Sequence, residues 1–259
     1  PIALPNDGTD LLIIDHYQAD HDWLQAMRHQ AMKIMVIDDL AERRHDCDLL
    51  LNQNLHATLT HYSHLVPQDC TLLLGPDYAL LRPEFYRLAQ QTKERSSIQR
   101  ILVAVGGSDP HQLTERILQE LNDSSWAIDV VMGAASPRHG VIESLCLKNQ
   151  GRLTLHIQTE HMAQLMIAAD LAIGAGGSSH WERCLLGLPT LVITVAENQV
   201  ASTRLLHQRG ACQWLGNADQ LAAGAIRSAV DELAHNPHRL QQMSRTAAEI
   251  VLGSGGTQK

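Results

Sequence analysis

The densest chemical signal lies at residues 171–189, LAIGAGGSSHWERCLLGLP. Gly174, Gly176 and Gly177 precede Ser178 and Ser179 at an expected helix start, and Glu182 follows three residues after Ser179. Glycines let the main chain approach an anion, and free amides at such a turn donate to phosphate. A carboxylate at Glu182 offers acceptors and no donor, which suits the two hydroxyls of a ribose. The same Ser-x-x-Glu spacing is that of a capping box, so a plain helix cap accounts for both residues as well. A second glycine turn, VAVGGSDP at 103–110, presents Gly106, Gly107 and Ser108 after a strand, with Asp109 able to act simply as a helix cap. It is neither GxGxxG nor a Walker loop. In AENQVAST (196–203), Asn198 and Gln199 can donate to a sugar or phosphate oxygen, and Asn198 can equally cap a helix. Asp15, His16 and Tyr17 directly follow an apolar run, where a His-Tyr pair is more often structural than catalytic.

These residues need elements to hold them. Short apolar runs at 11–15, 33–39, 49–52, 71–75, 101–105, 127–133, 152–157, 171–175, 189–195 and 210–215 read as strands. Amphipathic stretches between many of them read as helices, including 20–30, 86–91, 111–121, 137–148, 161–168, 179–186 and 198–209, with 218–234 and 237–251 closing the chain. Strands alternating with helices of ten to fifteen residues signal βαβ units and a parallel sheet. The polar stretch 92–99 (TKERSSIQ) separates two such sets and puts an expected boundary near Ser96, giving domains 1–95 and 96–259. LLLGPDYALLRPEF (72–85) reads as a rigid elbow. The first set has fewer βα units and no glycine-rich first turn, so the first domain is expected to be small or to lack an upstream piece.

Composition narrows the field. The 259 residues carry 20 Lys+Arg against 28 Asp+Glu, a formal charge of −8, with no basic cluster to serve nucleic acid or an anionic membrane. An anion site must therefore be local and built from the main chain. No apolar run reaches the ~20 residues of a membrane helix, and no signal segment is visible, so the default address is the cytoplasm. Five widely spaced cysteines form no CxxC and read as reduced structural thiols. Fifteen histidines raise the question of a metal, yet His16/His21 and His61/His64 lack further ligands at motif spacing, so no metal is expected.

LLIIDHY, IDDLAERRHDCDLLLNQN, LLLGPDYALLRPEF, VGGSDP, HMAQLMIAADLAIGAGGSSHWERCLLGLP and ENQ occur in this order across residues 11 to about 215. Together they resemble the UDP-sugar hydrolases of pseudaminic acid biosynthesis, which are themselves similar to GT-B glycosyltransferases. The resemblance implies an α/β, GT-B-like pair of Rossmann-like domains with parallel sheets, the first incomplete relative to the family. It implies hydrolysis of a UDP-linked 2,4-diacetamido-2,4,6-trideoxy sugar by water, without metal or cofactor. By the same resemblance Glu182 would bind the ribose, Ser178 and Ser179, with Gly177, would hold the diphosphate, and Gly107–Ser108 would lie beside it. Met162 would lie near the uracil, Tyr17 and Asn198 would face the sugar as the catalytic residues, and Gln199, like Asn198, would bind the UDP-sugar. The family's GxGHxxR segment, which carries its proposed general base, is absent from these residues; His16 is the nearest substitute, though the family gives it no such role. Two other functions stay open: a UDP-sugar glycosyltransferase, and a nucleotide-sugar binding module lacking the catalytic histidine.

Overall fold

The computed structural model describes residues 8–92, 94–107, 109, 111–134 and 136–251. The chain divides into two compact units that part between Leu80 and Leu81.

The first unit holds β1 (Thr9–Ile14), α1 (His21–Met27), β2 (Ala31–Ile37), β3 (Leu49–Asn52), the short α2 (Leu59–Tyr62) and β4 (Thr71–Leu74). Its four strands are all parallel and lie in chain order, β1-β2-β3-β4. Leu12, Ile14, Leu24, Ile34, Val36, Leu50 and Tyr62 form its core, set by the alternation of each strand. Asp20 starts α1 by accepting from the Trp23 amide at 2.9 Å.

The second unit runs through α3 (Pro83–Ala89), β5 (Arg100–Ala104), α4 (Leu113–Glu120), β6 (Ala127–Met132), α5 (His139–Lys148), β7 (Leu153–Ile157), α6 (Met162–Ala168), β8 (Leu171–Ala175), α7 (Ser179–Leu185), β9 (Thr190–Thr194), α8 (Val200–Gln208), β10 (Gln213–Asn217), α9 (Ala225–Ala234) and α10 (Pro237–Ile250). Six parallel strands take the order β10-β9-β8-β5-β6-β7, which from the β7 edge is the doubly wound sequence 3-2-1-4-5-6. Every residue of β8 and β9 is buried, as expected of central strands covered on both faces.

The units part ahead of the boundary expected near Ser96, and the reason is physical. Phe85 and Tyr86 of α3 are buried, and α3 packs on α6 and α7. Arg95, inside the polar stretch, is only 2% exposed. Its Nε donates to Ala169 O at 2.9 Å, Nη1 to Leu186 O and Gly187 O at 2.8 Å each, and Nη2 to Met166 O at 3.3 Å. One guanidinium thus caps the carbonyl ends of both α6 and α7, where a cation also meets the favourable end of each helix dipole. Burial pushes its pKa down to about 10, which leaves it charged at neutral pH.

Smaller differences have equally local causes. The helix expected over 218–234 is interrupted: Gly224 takes φ +77° and α9 starts after it. The strand expected at 210–215 lies at β10 instead, because Gly210 (φ +79°) closes α8 first.

Candidate functional site

In a doubly wound sheet the crevice opens where the strand order reverses, here between the carboxyl ends of β5 and β8. Both glycine turns of the sequence fall there. Gly106 (φ +103°) follows β5, and Gly177 (φ +100°) follows β8; these left-handed conformations favour glycine. The turn after β6 closes on the first: a Cβ on Gly133 would stand 2.5 Å from Gly107 O, so main chain packs directly on main chain. A cavity of about 250 Å³ lies between these turns and α6, lined in part by Gly106, Gly107, Gly133, Met162, Ser179 and Arg183. Gly107, Met162 and Ser179 of the expected set are thereby brought together. Ser108 lies outside the described residues.

Helix α7 delivers the remaining groups. Trp181, Cys184 and Leu185 are buried at helical spacing, and the helix packs on α10. It ends in a Schellman motif: Gly187 N–H donates to Cys184 O at 2.8 Å and Leu188 N–H to Arg183 O at 2.9 Å, with Gly187 at φ +55° and Pro189 beyond. At its start, Ser178 is the capping residue but has helical dihedrals and makes no side-chain cap bond. Ser179 is already inside the helix, so the Ser179–Glu182 capping box does not form. Glu182 is half-buried, and among the described residues its carboxylate has no hydrogen bond or ion pair. Burial raises its pKa, opposed by Arg183 and Arg82. Asp109, by contrast, is a cap: its carboxylate accepts from the Leu113 amide at 2.8 Å and the Thr114 amide at 3.0 Å.

After β9 the residues Glu197–Gln199 form a 3-10 turn that leads into α8. Gln199 Oε1 accepts from Val195 N–H at 3.0 Å, and the side chain lies against Gly176, where an added Cβ would meet Gln199 Cβ at 2.9 Å. Gln199 therefore shapes the second glycine turn from the side. Asn198 sits on the same turn.

Sequence reasoning missed the layer beneath these turns. His180 and Arg183 are 2% and 3% exposed. Arg183 Nη2 donates to Ala175 O at 2.8 Å and to His180 Nδ1 at 3.2 Å, while His180 Nε2 pairs with Thr203 Oγ1 at 2.9 Å. Burial, then Arg183, drive the His180 pKa well below its usual value, so the ring is neutral.

Tyr17 belongs to the first unit. Its hydroxyl donates to Asp39 Oδ2 at 3.0 Å, and Arg43 lies 6.0 Å from its ring centre. Partial burial and then Asp39 raise its pKa, so the phenol keeps its proton. The ring of His16 accepts from Gln18 N–H at 3.1 Å, a local turn contact. Beside it a cavity of about 590 Å³ is lined by Ile13, Asp15, His16 and Trp23. Deeper in this unit Tyr62 donates to Asp38 Oδ2 at 2.7 Å and receives Asn52 Nδ2 at 2.8 Å, and the Ala41 amide adds 2.8 Å to the same carboxylate. Burial pushes the Asp38 carboxyl up, but His45 at 3.7 Å, Tyr62 and Ala41 outweigh it and hold it at about 2.

Among the described residues no three His, Cys, Asp or Glu side chains gather as metal ligands, and no helix is long and apolar enough to cross a membrane. All five cysteines are free thiols.

Two parallel α/β units, one wound around a switch point walled by glycine turns, make up a fold of the GT-B type. The chain belongs to the family of the glycosyltransferase family 28 C-terminal domain, whose model matches residues 86–253. It is 30% identical over 202 residues to the UDP-2,4-diacetamido-2,4,6-trideoxy-beta-L-altropyranose hydrolase of Campylobacter jejuni, covering 78% of this chain and 72% of that protein. It is 35% identical over 184 residues to the spore coat polysaccharide biosynthesis protein SpsG of Bacillus subtilis, covering 69% of this chain and 50% of SpsG. The crystal structure of Acinetobacter baumannii MurG shares the fold at 16% identity with a TM-score of 0.61, over 93% of this chain and 70% of that one.

Proposed function

We propose that the chain binds a UDP-linked sugar at the switch point of the second sheet, and that it serves hydrolysis of a UDP-linked 2,4-diacetamido-2,4,6-trideoxy sugar in pseudaminic acid biosynthesis. The second unit, from Leu81 on, holds the nucleotide and the first unit attends the sugar. The observation that carries this reading is Glu182, a half-buried carboxylate released from the cap its spacing suggested. It accepts from both ribose hydroxyls. Amides and hydroxyls of Gly107, Ser108, Gly177, Ser178 and Ser179 hold the diphosphate, Met162 lies beside the uracil, and Asn198 and Gln199 donate to sugar or phosphate oxygens. Water attacks the anomeric carbon, the bond from that carbon to the β-phosphate oxygen breaks, UDP leaves with the electron pair, and the proton lost by the attacking water passes to solvent. Donors aimed at the diphosphate stabilise that departing charge without a metal. Tyr17, which keeps its proton and donates it in a hydrogen bond to Asp39, orients the sugar by accepting from one of its donors and is no general base. The name of the Campylobacter relative supports this substrate class.

The decisive experiment is calorimetry of wild type and Glu182→Gln with UDP and with its 2′,3′-dideoxy analogue. Weakening two charge-assisted bonds should cost UDP roughly ten- to a hundredfold in affinity and leave the analogue within about twofold. Equal weakening of both would return Glu182 to a purely structural part. The family's glycosyltransferase name supports a second reading, transfer of the sugar to an acceptor; free sugar as product favours hydrolysis, and an acceptor-linked sugar favours transfer.

A further inference from the structure

Arg183 is a buried cation without an ion pair: burial lowers its pKa, outweighing the neighbouring Glu182 carboxylate, which acts on it through space. The residue is 3% exposed, and among the described residues no carboxylate comes within ion-pair distance. Its Nη2 is spent on Ala175 O and His180 Nδ1, and its buried Nε has no partner at all. His180 cannot supply the missing charge, because its Nδ1 accepts from Arg183 and its ring is neutral. An uncompensated buried charge is costly, and proteins normally pair such groups.

Position suggests what pairs with it. The guanidinium lies at the root of the second glycine turn: it bonds the carbonyl of Ala175, the residue before Gly176, and its Nη1 would stand 2.8 Å from a Cβ on Gly174. It also lines the cavity walled by Gly106, Gly107, Gly133 and Ser179. An anion seated between these turns would lie over a fixed positive charge that solvent does not screen.

We propose that Arg183 is a positioning residue whose buried charge, set beneath the glycine turns, is the counter-charge for the diphosphate of the nucleotide. The proposal rests on the UDP-sugar reading above and adds to it the source of charge selectivity. It predicts a site that discriminates nucleoside diphosphate from nucleoside through a group that touches neither directly. A merely structural role, holding the Ala175 carbonyl, makes a different forecast: loss of the side chain would then loosen the empty protein and weaken every ligand alike.

The test uses the full chain, with calorimetry against UDP and uridine and thermal melting of the unliganded protein. Arg183→Met removes the charge and keeps an apolar stem of similar length. UDP should weaken at least tenfold and uridine less than twofold, while the empty protein melts at or above the wild-type midpoint. Arg183→Lys, which keeps the charge, should hold UDP within about threefold of wild type. Equal loss for UDP and uridine in the Met variant, an unchanged UDP affinity, or a Met variant that does not fold would each overturn the proposal. Wild type that binds uridine but prefers UDP by no margin would overturn it while sparing the nucleotide site; wild type that binds neither would sink the site reading and the proposal together.

Discussion

Replacing Arg95 by methionine should destabilise the second unit by about 3–5 kcal/mol. The variant keeps most of the apolar stem and removes the donors to four carbonyls. Gly187 O retains the Ser244 hydroxyl at 2.6 Å, so its loss is partly covered. The Met166, Ala169 and Leu186 carbonyls lie at or past the last intrahelical bonds of α6 and α7 and depend on the guanidinium. Three buried acceptors without donors, at about 1–1.5 kcal/mol each, give the quoted range. For a unit of this size that corresponds to a fall in melting midpoint of roughly 6–20 °C. Urea unfolding followed by circular dichroism, with calorimetry for the midpoint, measures it directly. Arg95→Lys should recover only part, since an ammonium cannot span the four acceptors that the planar fork reaches. A loss below about 1 kcal/mol in the Met variant would refute the idea that Arg95 ties the two helix ends together.

Three further outcomes follow from the geometry. Gly107→Ala meets open space and an ordinary φ, so it should leave stability unchanged or raise it by about 0.5 kcal/mol while weakening UDP, whereas Gly133→Ala, driven against Gly107 O, should lower both; unfolding and calorimetry on the pair separate these effects. Asp38, held at about 2 against an ordinary 3.8, contributes about 2 kcal/mol that is fully present above pH 4 and lost as pH falls through 2; Asp38→Asn should flatten stability across that window, and an unchanged acid slope would refute it. His180 is buried neutral, so the unfolded chain binds its proton more readily and stability should decline as pH drops below about 6.5. His180→Asn should reduce that decline between pH 6.5 and 4.5 in denaturant titrations, and an identical slope would count against it.

The sheets were legible because their strands announce themselves. Runs such as ILVAV and LAIGA are too apolar and too short for anything but a buried strand, and the glycines after them mark where the crevice opens. The boundary was not legible, since Arg95 lies in TKERSSIQ and a charged residue in a polar stretch reads as solvated; only the spatial meeting of two helix ends makes it interior. The same holds for His180 and Arg183, whose burial follows from α7 facing α8 and β8 rather than from any spacing. Ser179 and Glu182 show a third kind of limit. Capping-box spacing is real, but the helix begins with Ser178 already in helical dihedrals, so the bonds that spacing allows are not made. The four-residue α2 carries too few residues for any period to register.

The two strand orders also bear on how the chain is made. In the first sheet each strand pairs with the one synthesised just before it, so the sheet can grow at its edge as the ribosome advances. The second starts in its middle. β5 finds β6 within thirty residues, but its other side waits for β8, whose pairing of Ile101 with Leu171 closes only some seventy residues later. At roughly 5–20 residues per second, that side of a strand whose core residues are wholly apolar stays unpaired for about 4–14 s. During that interval the nascent chain carries an open template for mispairing, and the glycine turns cannot yet face each other. Slowed translation between β7 and β8 should therefore lower the soluble yield more than the same pause placed after β9.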